Sequence, residues 1–264
     1  MSNSVPPKLY KYRPWGGYTD SIFTKQELYF AAPMEFNDPF DCGFHIHCQG
    51  DLNQEVLAAC AFKDVRAKHP EWTREEMVEA AEQVGAAIAT DHLGDVTAIF
   101  KKKLAQVTNM KVGILSLAER SDDILMWSHY ANCHRGVCIE FRTDADSRMF
   151  SRAQPVIYRD DYPHLNLREV VESKTLRAAA DWTLTKSSEW KYEKEWRVLD
   201  FNAGPGVQKF PDSCLSSVIL GCRFPEEERE KIVNWTQSFS HPVPLFQAKQ
   251  SATHFRLEME TFRR

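Results

Sequence analysis

The chain has 264 residues, 43% of them apolar, enough for a sizeable core in one large domain or two small ones; one domain carrying an insertion is the expectation. A formal net charge of −4 and a pI near 6.2 leave no global basic footprint, which argues against indiscriminate nucleic-acid binding and leaves room only for a local basic groove. Residues 1–7 lack an apolar signal core, no apolar run approaches bilayer length, and the seven cysteines are scattered without a disulfide rhythm, so a soluble, cytoplasmic protein with reduced thiols and no membrane partner is expected.

Lys8-Leu9-Tyr10-Lys11-Tyr12-Arg13 reads as a short strand ended by Pro14 and Gly16-Gly17, with Tyr10 and Tyr12 on one face and Lys11 and Arg13 on the other. A second strand, Glu27 to Ala31, runs into the turn Phe36-Asn37-Asp38-Pro39-Phe40-Asp41. Such a turn either only reverses the chain or uses Asn37 and Asp38 to hold a polar ligand beside Phe36 and Phe40. From about Leu52 to Gln106 apolar residues recur at three- and four-residue steps, through Val56, Ala59, Cys60, Phe62 and Val65 and then Met77, Ala80, Ala81, Val84 and Ile88. This predicts a helical insertion at about residues 50–110, with Thr73 and Glu76 as a capping box and Lys101-Lys102-Lys103 on a solvated face.

Strand character returns at Val112 to Leu117, and Ser121-Asp122-Asp123 caps a short helix through Ala131 on which Trp127, Tyr130 and Ala131 share a face. Gly136 to Phe141 reads as a strand, Pro155 to Tyr158 as extended chain, and Leu165 to Leu184 as an amphipathic helix. Ser217 to Gly221 reads as a buried strand, a helix opens at Pro225, and Val243 to Gln247 and His254 to Met259 read as closing strands.

The most informative stretch is Trp190-Lys191-Tyr192-Glu193-Lys194-Glu195-Trp196-Arg197-Val198-Leu199. A period of two puts Trp190, Tyr192, Trp196 and Val198 on one face and Lys191, Glu193, Glu195 and Arg197 on the other. Same-face neighbours stand roughly 6–7 Å apart on a strand, so the two carboxylates raise each other's pKa while Lys191 or Arg197 offsets that effect. Charged residues on the outer face of an antiparallel strand are ordinary. Aromatic crowding around two acids is also how carboxylates are tuned for chemistry. No metal is expected: Cys42, His45, His47 and Cys48, and the cluster His129, Cys133 and His134, follow no recognised ligand spacing. Neither a Walker loop, a Gly-x-Gly-x-x-Gly turn nor a nucleophile elbow is present, so kinase-like and Rossmann readings lose ground.

Four segments, residues 9–13, 36–41, 126–131 with 134–137, and 190–197, together resemble the bacterial domain-of-unknown-function family 2971. More distantly, the order of an early strand bearing Tyr or Arg, a middle aromatic-plus-hydroxyl segment and a late Glu-x-Glu strand is similar to the layout of ADP-ribosyltransferases. That resemblance implies a single α+β domain with a central mixed or split β-sheet, NAD as substrate, a macromolecular acceptor (nucleic acid or protein), and a bacterial toxin or phage-defence effector with a neutralising partner. It implies that Glu195 stabilises charge at the ribose as nicotinamide leaves and that Glu193 activates the acceptor. It further implies that Tyr10, Tyr12 or Arg13 sits against the cofactor, Asn37 and Asp38 line it, and Tyr130 with Trp127 stacks on nicotinamide. Ile114-Leu115-Ser116-Leu117 departs from a Ser-Thr-Ser triplet. The alternatives are a metal-dependent hydrolase or nuclease using Asp38, Glu193 and Glu195, and a non-catalytic binding or sensor module.

Overall fold

The first strand forms as β1 (Lys8–Arg13) and lies in the interior of an eight-stranded sheet. A computed structural model describes residues 4–47, 58, 61–62, 65–90, 93–144, 148–166 and 181–262. After β1 come α1 (Tyr18–Thr24), β2 (Glu27–Phe30), β3 (His45–His47), α2 (Arg74–Thr90), α3 (Leu93–Lys111), β4 (Gly113–Ala118), α4 (Ile124–Tyr130) and β5 (Val137–Arg142). Four short strands follow, β6 (Gln154–Pro155), β7 (Ile157–Arg159), β8 (His164–Asn166) and β9 (Thr185–Ser187). The chain closes with β10 (Glu195–Asp200), β11 (Gly206–Lys209), β12 (Leu215–Leu220), α5 (Arg229–Gln237), β13 (Leu245–Gln250) and β14 (Leu257–Thr261). The large sheet runs β14-β13-β12-β5-β1-β4-β10-β6, antiparallel except where β12 meets β13. With helices packed around it, this is an α+β domain built on a mixed sheet.

The sheet is split near its middle. β1 pairs with β5 along its whole length, from Lys8↔Arg142 to Arg13↔Val137, but meets β4 in register only at Tyr10↔Ala118. Beyond that point β1 and β4 diverge, and β4 bonds instead to Ala31 through Ile114. The main core fills one face of the sheet with Leu9, Leu115, Leu117, Ile139, Phe141, Val198 and Leu220, closed by Phe23 of α1 and Ile232 of α5. A second cluster around Tyr12, Ala118, Trp127 and Cys138 lies against the other face.

Most elements fall where periodicity puts them. The capping box forms, with Glu76 accepting from the Thr73 amide at 2.7 Å and the Glu76 amide donating to the Thr73 hydroxyl at 3.3 Å. Asp123 caps α4 by accepting from the amides of Leu125 (2.9 Å) and Met126 (3.1 Å). Asp123→Ala is therefore expected to lower stability by about 1 kcal/mol in denaturant melts. The helix at Pro225 opens with a 3-10 turn, Glu226–Glu228, before α5 begins. Residues 167–180 of the expected Leu165–Leu184 helix, and Val56, Ala59 and Cys60 of the expected insertion, lie outside the described residues; Leu165 itself belongs to β8. Among the described residues no helix is long and apolar enough to cross a membrane.

The stretch 190–199 is not one strand. Ser188–Glu193 form a 3-10 turn, Lys194 takes a left-handed conformation (φ 45°), and β10 starts only at Glu195. Trp190 and Tyr192 therefore do not share a strand face with Trp196. Of the charged face only Lys191, on the 3-10 turn, meets water; Glu195 is 5% and Arg197 0% exposed, which removes the reading of an ordinary solvated outer face for the strand.

Candidate active site

The divergence of β1 from β4 opens a cleft of about 690 Å³. Seven of the nine residues singled out from the sequence line it: Tyr10, Tyr12 and Arg13 from β1, Asn37 from the early turn, Tyr130 from α4, Glu193 from the 3-10 turn and Glu195 from β10. Two stand apart. Trp127 is fully buried beneath the cleft, edge-on to Tyr12 (centroids 5.3 Å apart), with its indole N–H donating to the Ser121 carbonyl at 2.7 Å. It positions α4 and has no face left for a ligand, because α4 turns its Trp127 side to the sheet. Asp38 accepts from the Trp190 indole N–H at 2.7 Å and from the Phe40 amide at 2.9 Å, so its carboxylate ties the early turn to the 3-10 turn.

The two glutamates converge on a lysine. Lys186 of β9 donates to Glu193 at 2.5 Å and to Glu195 at 3.2 Å, and its ammonium lies 3.5 Å from Asp41 and 5.0 Å from the centroid of the Trp190 ring. Arg197 completes the network. It donates to Glu195 through Nε (2.7 Å) and Nη2 (2.9 Å), to both Asp41 oxygens (2.8 and 2.9 Å), and through Nη1 to the Thr183 carbonyl (2.7 Å). Two cations thus face three carboxylates whose side chains are almost wholly buried, so that losing any one partner leaves a costly unpaired charge.

The network drives the two glutamates apart in acidity. Burial works against ionising Glu195, but Arg197 and Lys186 outweigh it and bring its pKa down to about 2. Glu193 goes the other way: burial raises its pKa and the Glu195 charge adds to that, with Lys186 and the Tyr130 hydroxyl (2.7 Å) opposing. Glu195 is thus held more acidic than an ordinary carboxylate and Glu193 less so, the kind of separation by which acid–base roles are divided between paired acids. Burial disfavours the charged form of Lys186, yet Glu195, Glu193 and Asp41 together raise its pKa and keep it an ammonium.

Periodicity missed Lys186, Asp41, Tyr158 and Lys11. The Tyr158 hydroxyl accepts the Glu195 amide at 2.8 Å and so sets where β10 begins. Asp41 sits in the same turn as Asn37 and Asp38, and the signal for it was Arg197: a guanidinium on an apolar strand needs a carboxylate partner. Lys11 extends into the split and donates to the Ser116 carbonyl of β4 at 2.9 Å.

The candidate metal ligands do not come together among the described residues. Among the described residues no three His, Cys, Asp or Glu side chains are grouped to hold an ion. Cys42 faces the Arg197 guanidinium at 3.4 Å, His45 packs on His164, and Cys48 lies outside the described residues. In the second cluster His129 lines the cleft while Cys133 is exposed. For a hydrolase built on Asp38, Glu193 and Glu195, the place of a bridging cation between the glutamates is taken by Lys186, and Asp38 faces Trp190.

Residues 126–198 match the model of a family described as a protein of unknown function, DUF2971. That span runs from α4 through β5 and β9 into β10 and so includes Tyr130, Lys186, Glu193, Glu195 and Arg197. It holds the third and fourth of the segments that carry the sequence resemblance, while β1 and the early turn lie outside it. No curated protein and no solved structure matches the chain.

Proposed function

We propose that the chain transfers ADP-ribose from NAD to a macromolecular acceptor, nucleic acid or protein, as a bacterial toxin or phage-defence effector restrained by a neutralising partner in the cytoplasm. The observation that carries this reading is the pair of oppositely tuned carboxylates, Glu193 and Glu195, on a cleft where the early, middle and late strands β1, β4 and β10 lie side by side. Tyr10, Ala118 and Glu195 fall in one line across these three strands.

The residues fit a dinucleotide. The cleft volume lies within the roughly 300–1,000 Å³ of small-molecule sites, Lys11 and Arg13 supply positive charge, and Tyr10 and Tyr130 supply aromatic surface. NAD brings a glycosidic bond whose electron pair leaves with nicotinamide while the acceptor bonds to the same ribose carbon. Glu195 is kept ionised in a network whose three carboxylates outnumber its two cations, and that fixed excess of negative charge faces the ribose, where preorganised charge is most effective. Glu193 takes the proton that the acceptor loses. Tyr130 and Lys186 hold Glu193 in place for that transfer.

The roles separate experimentally. With adenine-labelled NAD and cell extract, Glu193→Gln is expected to keep releasing nicotinamide to water while losing label transfer to macromolecules; equal loss of both contradicts a base role. Tyr130→Phe removes a hydrogen bond that lowers the Glu193 pKa, so the acid limb of the transfer profile moves to higher pH. Transfer on that limb drops roughly fivefold, the worth of one hydrogen bond.

A further inference from the structure

The split holds two cations that the carboxylate network does not use. Lys11 and Arg13 are alternate residues of β1, on the same side of the strand and so roughly 6–7 Å apart. Arg13 donates to the Thr19 hydroxyl at 3.4 Å and Lys11 to the Ser116 carbonyl at 2.9 Å, and neither has a carboxylate partner among the described residues. A lysine ammonium has three donors, so Lys11 keeps two for a ligand.

We infer that Lys11 and Arg13 form a diphosphate cradle on the cleft floor, and that Lys11 takes up a proton when the diphosphate of a nucleotide binds. This rests on the nucleotide reading of the cleft but adds to it a residue, a ligand group and a pH dependence. The charges around Lys11 account for the proton. Burial and neighbouring Arg13 bring the Lys11 pKa down to about 7, with Glu195 opposing from β10. Across the cleft Lys186 and Glu193 neutralise each other, and Asp41 faces Arg197. Glu27 of β2 and Glu35 line the cleft as acids, the latter bound to the Tyr29 hydroxyl at 2.8 Å, and His129 faces in from α4. Against that background the cation at Lys11 is marginal in the empty cleft, and a dianion beside it restores the charged form.

The probe is ADP-ribose, whose diphosphate is esterified at both ends and keeps a constant charge between pH 6 and 8; adenosine is the phosphate-free control. Calorimetry on the full chain should show affinity for ADP-ribose falling about tenfold from pH 6 to pH 8, the share of ammonium lost across one unit either side of 7. At pH 8, two buffers of different ionisation enthalpy should reveal proton uptake. Lys11→Arg, which cannot deprotonate, should keep the pH 6 affinity at pH 8 with no uptake, and Lys11→Met should bind about tenfold more weakly at pH 6 with a flat profile. Thermal melts establish that both variants fold. ADP-ribose binding no tighter than adenosine, or a pH dependence that survives in Lys11→Arg and so belongs to another group such as His129, overturns the inference. Nicotinamide release with no role for Lys11 leaves the transferase reading standing without the cradle. Lys11-dependent binding with no release leaves the cradle without the transferase.

Discussion

Arg197→Met is expected to lower the stability of the fold by about 3–5 kcal/mol, because it strips a partner from two buried carboxylates at once. In the intact protein the fully buried guanidinium holds Glu195 and Asp41 by paired hydrogen bonds of 2.7–2.9 Å. Without it Lys186 is the one cation left within 4 Å of either acid among the described residues, at 3.2 and 3.5 Å. Methionine fills much of the volume, so the loss is one of unpaired charge more than of packing. The sign of the pH dependence follows from Glu195. Its folded pKa, about 2, lies below the ordinary 4.5, so its stabilising contribution is complete above the ordinary value and is lost as pH falls through 2. Without Arg197, Glu195 loses the largest influence that keeps it ionised, and the deficit of the variant should be largest at neutral pH and shrink on acidification. Equal denaturant midpoints for variant and wild type at pH 7 would show that the network carries little stability.

Glu195→Gln is expected to reduce nicotinamide release on the order of a hundredfold or more, the scale of a lost transition-state contact. The replacement is nearly isosteric and Arg197 retains Asp41, so the fold should survive and the measurement should report charge. Since the ribose becomes cationic only as the bond breaks, the loss belongs in kcat with KM nearly unchanged. A loss confined to KM would make Glu195 a binding group.

Much of this site is written locally in the sequence. Alternation across Lys8–Arg13 and Val137–Arg142 places β1 and β5, and the Asp123 cap places α4 with Tyr130 toward the cleft. Local pattern failed in three identifiable ways. Aromatic and charged residues alternate on either side of Lys194, and the one break, Glu193-Lys194-Glu195, falls at the left-handed residue that ends the turn and starts β10; a single charged residue on an otherwise apolar face does not by itself tell a turn from a strand. Helical spacing shows that Trp127 and Tyr130 are neighbours without showing which of them meets the cleft; the bulkier ring went under the sheet, where it removes more apolar surface from water. The charge network was hidden by distance along the chain, Arg197 and Asp41 being 156 residues apart. No periodicity reaches that far, although a buried cation on an apolar strand is a sign that a distant acid exists. The split between β1 and β4 is likewise a matter of how strands far apart in sequence pair.

The most direct test is to incubate purified, folded wild-type protein with NAD and cell extract and measure free nicotinamide, with Glu195→Gln in parallel. The account predicts release by the wild type, label from adenine-labelled NAD retained on a macromolecule, and a loss of about a hundredfold in the variant. Release at the same rate by both proteins, or by neither, would contradict it.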